Sequence, residues 1–264
     1  MSATAQPPPI AVVAALRAAG CVFAEDEARL LVSAARTSDE LDSLVARRVA
    51  GQPLEVIIGW AEFCGLRIAV EAGVFVPRQR TEFLVRQAVE LGRPGAVVLD
   101  LCCGTGALGA AVAAQLHNVE LHAADIDPVA VGCARRNIAE AGGRAYVGDL
   151  YDPLPPTLRG RIDLLLVNAP YVPTEHLAMM PPEARDYEPS VALDGGPDGL
   201  DVQRRVIAAA PEWLAPGGEL LIETSEAQAP RTVDAMCASG LIPRTASSAE
   251  FNSTVVIGTR NVRP

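Results

Sequence analysis

Apolar and polar residues recur at helical spacing in the first part of the chain. In the last of three such segments, Leu41, Leu44 and Val45 lie three or four positions apart and therefore share one face of a helix. Ser38 is a candidate N-cap at the start of that helix, and Gly51 is a stop signal after it. We predict a small module of amphipathic helices over residues 11–20, 25–36 and 38–51.

The pattern changes after this module, where β-branched residues are interrupted by glycines. Residues 54–78 read LEVIIGWAEFCGLRIAVEAGVFVPR, a composition that is typical of short strands joined by turns. We predict a β-hairpin that connects two domains, followed by a helix over residues 81–92. The expected domains are residues 1–73, the helical module with its connector, and residues 74–264.

From about residue 96, apolar runs of strand length alternate with helical patterns. Such alternation predicts an α/β fold with a parallel sheet covered by helices on both faces. Ligands of these sheets bind outside the carboxyl ends of the strands. We expect strands at 96–101, 119–125, 144–149, 161–168 and 219–224, helices at 106–116, 127–142, 199–218 and 229–240, and a terminal antiparallel pair at 241–247 and 251–260.

Acidic residues and glycines lie at the predicted carboxyl ends of these strands. Asp100 ends the first strand, and Gly104 and Gly106 then permit a tight turn and a close approach to a ligand. Asp125 ends the next strand about 20 residues later, a spacing that suits a carboxylate on a ribose diol. Asp149 ends the third strand. Three acids at consecutive strand ends, beside a glycine turn, predict a nucleoside site.

This glycine loop does not by itself identify the nucleoside. Its Asp-x-x-x-Gly-x-Gly pattern resembles the S-adenosylmethionine loop of class I methyltransferases. Gly104, Gly106 and Gly109 also satisfy the Gly-x-Gly-x-x-Gly fingerprint of dinucleotide-binding enzymes. A nicotinamide oxidoreductase is therefore an alternative at this point. No Gly-Lys-Ser/Thr follows the loop, which excludes a P-loop.

The fourth predicted strand runs directly into Asn168, Ala169, Pro170 and Tyr171. The side-chain oxygen of Asn168 and the backbone carbonyl of Ala169 can accept the two hydrogens of an NH2 group. Both bonds strengthen as positive charge grows on the nitrogen, so they favour the transition state for attack by its lone pair. Pro170 keeps Ala169 extended, and Tyr171 offers an aromatic face to a planar group. We call these four residues the acceptor clamp.

Composition restricts the function further. The net charge is −10, so extended nucleic-acid binding is not expected. All 22 basic residues are arginine, which removes Schiff-base lysine chemistry. The cysteines and histidines lack ligand spacing, and we expect no metal. No apolar run reaches the roughly 20 residues of a membrane span, and the amino-terminal residues make a poor signal peptide because no basic residue precedes their apolar part. We expect a cytoplasmic protein without a membrane partner.

Longer segments carry a resemblance to one family. Residues 168–171 resemble the Asn/Asp-Pro-Pro-Tyr motif of enzymes that methylate planar nitrogens. Residues 51–85 are similar to a connector that contains Gly-x-Pro and Pro-Arg-x-x-Thr-Glu, residues 187–207 to a Glu-Pro-x-x-Ala-Leu segment, and residues 216–228 to a Pro-Gly-Gly stretch with a distant Glu and Gln. Together these segments resemble the HemK-type protein-glutamine N-methyltransferases, which modify peptide-chain release factors.

The resemblance implies a class I, Rossmann-like S-adenosylmethionine-dependent methyltransferase sheet with a small helical N-terminal domain that helps to dock a protein substrate. The implied reaction is methyl transfer to a glutamine side-chain amide, in a Gly-Gly-Gln loop of a release factor or in another glutamine-bearing loop. The acceptor clamp would hold that amide as the catalytic group.

The resemblance also implies roles around the cofactor. Residues 102–106 would surround its methionine part, Asp125 would hold the ribose, and Asp149 with Leu150 would hold the adenine. Glu82 would line the cleft near the methyl group with its neighbours in the connector. The implied cofactor-binding set is Pro77, Arg78, Thr81, Asp100, Cys102, Cys103, Gly104, Thr105, Gly106, Asp125, Ile126, Asp149, Leu150 and Asn168.

Three features depart from the family pattern. Ala169 replaces the first proline of the tetrapeptide, Cys102 stands where glycine is usual, and residues 250–260 lack an Asp-x-x-Gly-x-x-Arg sequence. These departures indicate a divergent member and leave two alternatives open. One is a nucleic-acid exocyclic-amine methyltransferase that uses the same clamp. The other is a non-catalytic cofactor-binding partner protein.

Overall fold

A computed structural model describes residues 9–262 of the chain. Most of the amino-terminal stretch on which the signal-peptide expectation rests, residues 1–8, lies outside the described range, as do residues 263 and 264. Among the helices of the described range, none combines the length and the apolar character needed to cross a membrane.

The amino-terminal module consists of four helices around their own apolar core. They are α1 (Ile10–Ala18), α2 (Ala24–Ala34), α3 (Ser38–Val49) and α4 (Leu54–Ile58). The first three confirm the predicted helices, and Leu16, Leu31 and Leu44 are among the side chains that pack in the core. The N-cap of α3 is Thr37 rather than Ser38, because the Thr37 hydroxyl accepts a hydrogen bond from the backbone of Glu40.

Helix α4 corrects the prediction of strand structure for the start of the connector. Pro53 precedes its first turn, and Gly59 ends it in a left-handed conformation with a φ of 83°. Ile57 is buried in the core of the module, so tertiary packing outweighs the β-branched composition of this run. The predicted hairpin follows as the antiparallel pair β1 (Trp60–Phe63) and β2 (Leu66–Ala69).

The remainder of the chain forms a seven-stranded sheet in the order β5-β4-β3-β6-β7-β9-β8. Its parallel part consists of β3 (Val97–Leu101), β4 (Glu120–Asp125), β5 (Arg144–Val147), β6 (Ile162–Val167) and β7 (Leu214–Thr224). The terminal strands β8 (Leu241–Ser248) and β9 (Ser253–Arg260) are antiparallel, as predicted. The order reverses between β3 and β6, which is where a doubly wound sheet opens a crevice for ligands.

Helices cover both faces of this sheet because alternate residues of β3 point to opposite sides. Val98 packs on the side of α5 (Glu82–Leu91), α6 (Ala107–Leu116) and α7 (Pro128–Asn137). Leu99 and Leu101 pack on the side of α9 (Asp201–Trp213) and α10 (Ala229–Ala238). The predicted α/β architecture is confirmed.

The last helix before β7 is shorter than predicted, and the segment that precedes this helix is long. The predicted helix over 199–218 ends at Trp213, because residue 214 already pairs with Ile162 as the start of β7. A long excursion connects β6 to α9 and contains the short helix α8 (Pro182–Tyr187). The division of the chain into two domains at residue 73 stays a prediction.

Candidate active site

A cavity of about 720 Å³ opens at the carboxyl ends of the central strands. Its walls come from the loops after β3, β4, β5 and β6, from the connector before α5, and from the excursion after β6. The structure therefore brings most of the predicted site residues together. Those that line the cavity are Pro77, Arg78, Thr81, Cys102, Cys103, Gly104, Thr105, Asp125, Ile126, Asp149, Leu150, Asn168, Ala169, Pro170 and Tyr171.

The loop between β3 and α6 makes its turn through three left-handed residues. The φ angles are 59° at Cys102, 51° at Gly104 and 74° at Gly106. A Cβ added to Gly104 would meet no atom within 4 Å, so this side of the backbone is open to a ligand. A Cβ on Gly106 would lie 3.0 Å from the Cβ of Ala134 in α7. Gly106, predicted to contact the cofactor, does not line the cavity, and its glycine is explained by helix packing.

Asp100 also lies beneath the loop and not on the cavity wall. Its side chain is fully buried, and Oδ2 accepts a hydrogen bond from the backbone of Gly109 in α6 at 2.9 Å. Oδ1 has no hydrogen-bond partner among the described residues. Burial, helped by the nearby charge of Asp125, raises the pKa of Asp100 to about 8, although the Gly109 hydrogen bond lowers it. The position of Asp100 indicates a structural support between β3 and α6.

Asp125 presents its carboxylate at the carboxyl end of β4. Oδ2 accepts from the backbone of Gly104 and Oδ1 from the backbone of Asp127, each at 2.9 Å. These bonds fix the carboxylate, and each oxygen keeps a second lone pair for another donor. Burial raises the pKa of Asp125, while its backbone hydrogen bonds lower it. A fixed carboxylate on a cavity wall suits a pair of ligand hydroxyl groups.

The next strand end places Asp149 and Leu150 on the same wall. Oδ2 of Asp149 accepts from the guanidinium of Arg205 at 2.6 Å, so one carboxylate oxygen is already engaged. Leu150 has a left-handed φ of 49°, which turns the chain directly after β5. Sequence reasoning did not predict Arg205, because the contact depends on how α9 packs on the sheet.

The acceptor clamp begins where β6 ends. Asn168 is half-buried on the cavity wall, and its Nδ2 donates to the hydroxyl of Thr81 at 3.4 Å. With the amide nitrogen engaged, Oδ1 is the atom left to accept a hydrogen bond from a ligand. Ala169 is buried next to it and also contributes to the wall. Asn168 and Ala169 therefore lie next to each other on the wall of the same cavity, and their role as acceptors stays a prediction.

The backbone of the clamp is held by the excursion that follows it. Val172 donates to the carbonyl of Leu193 at 3.0 Å, and Gly195 donates to the carbonyl of Val172 at 2.9 Å. In addition, the backbone of Thr174 donates to the carbonyl of Gly196 at 3.0 Å. These bonds join the beginning and the end of the excursion. We call this the excursion base.

Two further residues fasten the clamp, and sequence reasoning did not assign them a role. Nε2 of Gln228 donates to the carbonyl of Tyr171 at 2.9 Å and to that of Asp198 at 3.1 Å. Gly199 packs against the same Tyr171 carbonyl so closely that a Cβ would collide with it. Gln228 and Gly199 belong to two of the family-like segments, so that resemblance was the available signal.

A buried carboxylate lies behind the ring of Tyr171. Oε1 of Glu223 accepts from the Tyr171 hydroxyl and from Nε of Arg80, both at 3.3 Å. The Arg80 guanidinium also lies 5.8 Å from the centre of the Tyr171 ring. Burial raises the pKa of Tyr171, and the charge of Glu223 raises it further. The phenol is therefore held as a hydrogen-bond donor.

Two more carboxylates accept hydrogen bonds from residues of the connector. Oε1 of Glu188, a buried residue, accepts from Arg78 at 2.6 Å and from the backbone of Val76 at 3.2 Å, and so joins the connector to the excursion. Glu82, predicted beside the cavity, instead accepts from the backbone of Cys64 in the hairpin turn at 2.9 Å and does not line the cavity. The prediction for Glu82 is corrected.

Comparisons with known proteins agree with this geometry. The family model Methyltransferase small domain matches residues 65–180. A release factor glutamine methyltransferase of Geobacter sulfurreducens is 43% identical over 188 residues, which are 70% of this chain and 65%, just under two thirds, of that protein. A release factor glutamine methyltransferase of Mycolicibacterium smegmatis is 39% identical over 201 residues, which are 75% of this chain and 71% of that protein.

Solved structures extend the comparison to the fold. A methyltransferase from Pyrococcus furiosus superimposes with a TM-score of 0.56 at 17% identity, over 75% of this chain and 90% of that chain. At this identity the likeness concerns the fold, which is that of a methyltransferase domain.

Proposed function

Because the chain belongs to the family of release factor glutamine methyltransferases, we propose that it transfers a methyl group from S-adenosylmethionine to the side-chain amide nitrogen of a glutamine in a peptide-chain release factor. The observation that carries the proposal is the orientation of Asn168. Its side chain lies on the cavity wall, and its amide nitrogen donates a hydrogen bond to the hydroxyl of Thr81. The amide oxygen is therefore left to accept a hydrogen bond from a ligand.

The residues of the cavity fit S-adenosylmethionine. Gly104 leaves room for close approach of a ligand, and the fixed carboxylate of Asp125 can accept from two ribose hydroxyls. The acids Asp125 and Asp149 on the wall favour a cationic ligand. The volume of about 720 Å³ lies within the range of about 300–1,000 Å³ that is usual for ligand pockets.

When bound, S-adenosylmethionine would supply an electrophilic methyl group and leave as a neutral thioether once its carbon–sulfur bond breaks. The glutamine would supply the nucleophilic nitrogen in line with that bond, and this nitrogen would lose one proton to solvent after the transfer. A carboxamide nitrogen is a poor nucleophile because its lone pair is delocalised. Oδ1 of Asn168 and the carbonyl of Ala169 accept its two hydrogens and expose the lone pair. Both bonds strengthen as the nitrogen gains positive charge, which lowers the barrier.

The clamp residues would also lower the barrier by holding the reacting nitrogen in position. Pro170 keeps Ala169 extended, and the hydrogen bond from Gln228 to Tyr171 holds the next peptide of the clamp. The ring of Tyr171 provides a flat face for the carboxamide. A rigid clamp keeps the nitrogen in a reactive geometry and reduces the entropy that must be lost at the transition state.

Substitution of Asn168 by Ala tests the proposal. An unmodified release factor is incubated with labelled cofactor, and the methylated residue is located by mass spectrometry. We expect the wild-type protein to modify one glutamine and Asn168→Ala to lose at least about 100-fold in kcat, the usual effect of removing one such hydrogen bond. Asn168→Ala should still bind S-adenosylmethionine in calorimetry.

Asn261→Ala is the matched control, because Asn261 is exposed near the carboxyl terminus and is outside the cavity. Undiminished turnover by Asn168→Ala would refute the role of the clamp. Absence of any modified glutamine with the wild-type protein would refute the proposed substrate.

A further inference from the structure

Glu223 is a buried acid immediately behind the acceptor clamp. It lies near the carboxyl end of β7, and β7 pairs with β6 in parallel through Val167 and Ile222. Glu223 therefore follows the last residue of β7 that pairs with β6, just as Asn168 follows the last residue of β6 that pairs with β7. Only 1% of Glu223 is exposed, and it does not line the cavity. A carboxylate that cannot touch the substrate calls for another explanation.

The contacts of Glu223 converge on the clamp. Oε1 accepts from the hydroxyl of Tyr171 and from Nε of Arg80. Burial raises the pKa of Glu223, whereas the nearby Thr81 hydroxyl, Arg80 and Tyr171 lower it. Oε2 has no hydrogen-bond partner among the described residues. Glu223 therefore still offers an acceptor beside Thr81.

Thr81 connects this acid to Asn168. Its hydroxyl oxygen accepts from Nδ2 of Asn168 at 3.4 Å, and only 3% of the residue is exposed. A hydroxyl group has a single proton, and because Asn168 donates to the Thr81 oxygen, that proton is left for another acceptor. A carboxylate can only accept, so the proton of Thr81 points most favourably toward Glu223.

We propose that Glu223 is a positioning residue that fixes, through Thr81, which end of the Asn168 amide faces the cavity, and that fixes the Tyr171 ring at the same time. In its ionised form Glu223 can only accept, so the Thr81 proton would point toward it and the Thr81 oxygen would accept from Asn168, as it does in the structure. In that arrangement Oδ1 of Asn168 faces the ligand. This inference deepens the proposed function, because an acceptor is needed there only for an NH2 substrate.

The flipped amide shows why the direction matters. If Asn168 turned over, its NH2 group would meet the NH2 group of the glutamine, and two donors cannot form a hydrogen bond. Glutamine in place of Glu223 has the same shape but can donate to Thr81. The Thr81 hydroxyl could then donate to Oδ1 of Asn168, and the inactive orientation would become populated.

The test uses Glu223→Gln, Thr81→Val and Thr81→Ser, with Glu219→Gln as the matched control. Glu219 lies in the middle of β7, four residues before Glu223, and accepts from the hydroxyl of Thr259 at 2.8 Å. Two readouts are measured on each folded variant. One is the side-chain amide signal of Asn168 in NMR spectra of the cofactor-free protein, assigned by its loss in Asn168→Asp. The other is kcat and KM for the release factor.

We expect Glu223→Gln and Thr81→Val to shift the Asn168 amide signal and to lower kcat about 10- to 100-fold, the effect of a misplaced catalytic group. KM for the release factor should stay within about threefold of the wild-type value, because uniform binding is untouched. Thr81→Ser keeps the hydroxyl and should restore both readouts. Glu219→Gln should change neither readout.

An unchanged Asn168 signal in Glu223→Gln, or equal losses in Thr81→Ser and Thr81→Val, would overturn the positioning role. If Glu223→Gln does not fold, the Thr81 pair decides the question. A wild-type protein that methylates no glutamine would refute the proposed function instead, and the NMR comparison would still decide whether Glu223 orients Asn168.

Discussion

Two glycines near the acceptor clamp are fixed by contact, and one of them, Gly199, also by its backbone conformation. A Cβ on Gly195 would lie 2.7 Å from the carbonyl oxygen of Pro170. Gly199 has a left-handed φ of 76°, and a Cβ there would collide with the carbonyl of Tyr171 and with Nε2 of Gln228. These glycines allow the excursion to press directly on the backbone of the clamp.

Gly199→Ala should therefore impair the enzyme more than conformational strain alone would. Gly240→Ala is the matched control, because Gly240 has a φ of 77° and open space around its Cβ position. Each substitution carries about 1–2 kcal/mol of left-handed strain, and Gly199→Ala adds a clash that displaces Tyr171. We expect urea denaturation to show a larger loss of unfolding free energy, and kinetics a lower kcat, for Gly199→Ala only. Equal losses in the two variants would contradict this prediction.

Single residues were predictable where chemistry and a strand end coincide. Asp125, Asn168 and Tyr171 lie on the cavity wall because each lies at or just after the carboxyl end of a strand that the apolar pattern identifies. Glu223 and Arg80 were not predicted, because their contact joins strand β7 to the connector, about 140 positions earlier in the chain. Spacing along a sequence carries no information about such pairs.

At the scale of elements, the buried acid between β3 and α6 couples their packing to pH. Asp100 supports the start of α6 through the backbone of Gly109, and burial raises its pKa to about 8. In the unfolded chain an aspartate titrates near its ordinary value of about 3.9. Between these two pKa values the folded state holds a proton that the unfolded state has released, so the contribution of Asp100 to stability falls as the pH rises toward 8.

Asp100→Asn should remove this pH dependence. The free energy of unfolding of the wild-type protein, relative to the variant, should fall between pH 5 and pH 8 with a slope of up to about 1.4 kcal/mol per pH unit. Urea denaturation at pH 5, 6.5 and 8 measures the difference. Asp163→Asn is the control for the loss of an acid that accepts a backbone hydrogen bond, in that case from Val97. Parallel profiles for the wild-type protein and Asp100→Asn would show that the prediction is wrong.

Elements were predictable where the periodicity is long and were missed where it is short. The five parallel strands and the terminal antiparallel pair follow from apolar runs and their spacing. The run Leu54–Ile58 is too short for periodicity to separate helix from strand. Burial of Ile57 against the module decides the outcome, and that contact depends on the assembled helices.

At the scale of the whole molecule, one arginine links the helical module to the cavity wall. Arg48 is buried, and its Nε donates to Glu27 of α2 at 2.6 Å. Its Nη1 donates to Glu183 of α8, a residue that lines the cavity. The hydroxyl of Tyr187, at the end of α8, also donates to the carbonyl of Ala50. The module therefore contacts the part of the cavity wall that the excursion forms.

Arg48→Met should loosen this link. The substitution preserves most of the side-chain volume but leaves Glu27 buried without its partner, and breaking a buried pair in this way costs about 3–5 kcal/mol. Urea denaturation should show this loss. Arg47→Met is the control, because the exposed Arg47 side chain forms a hydrogen bond with the side chain of Gln52 and not with a buried acid. Equal stability of the two variants would contradict the prediction.

The excursion base has a mechanical consequence. Hydrogen bonds close the excursion near Val172 and Gly195, while its tip, which includes α8, rests on the helical module. Because the excursion base is closed by hydrogen bonds, we expect a displacement of the tip to have little effect on the residues that precede the base. A protein bound to the module could therefore displace the tip, and we expect these hydrogen bonds to keep the acceptor clamp in place. For the same reason, we expect insertions at the tip to change which proteins can bind there without changing the position of the acceptor clamp.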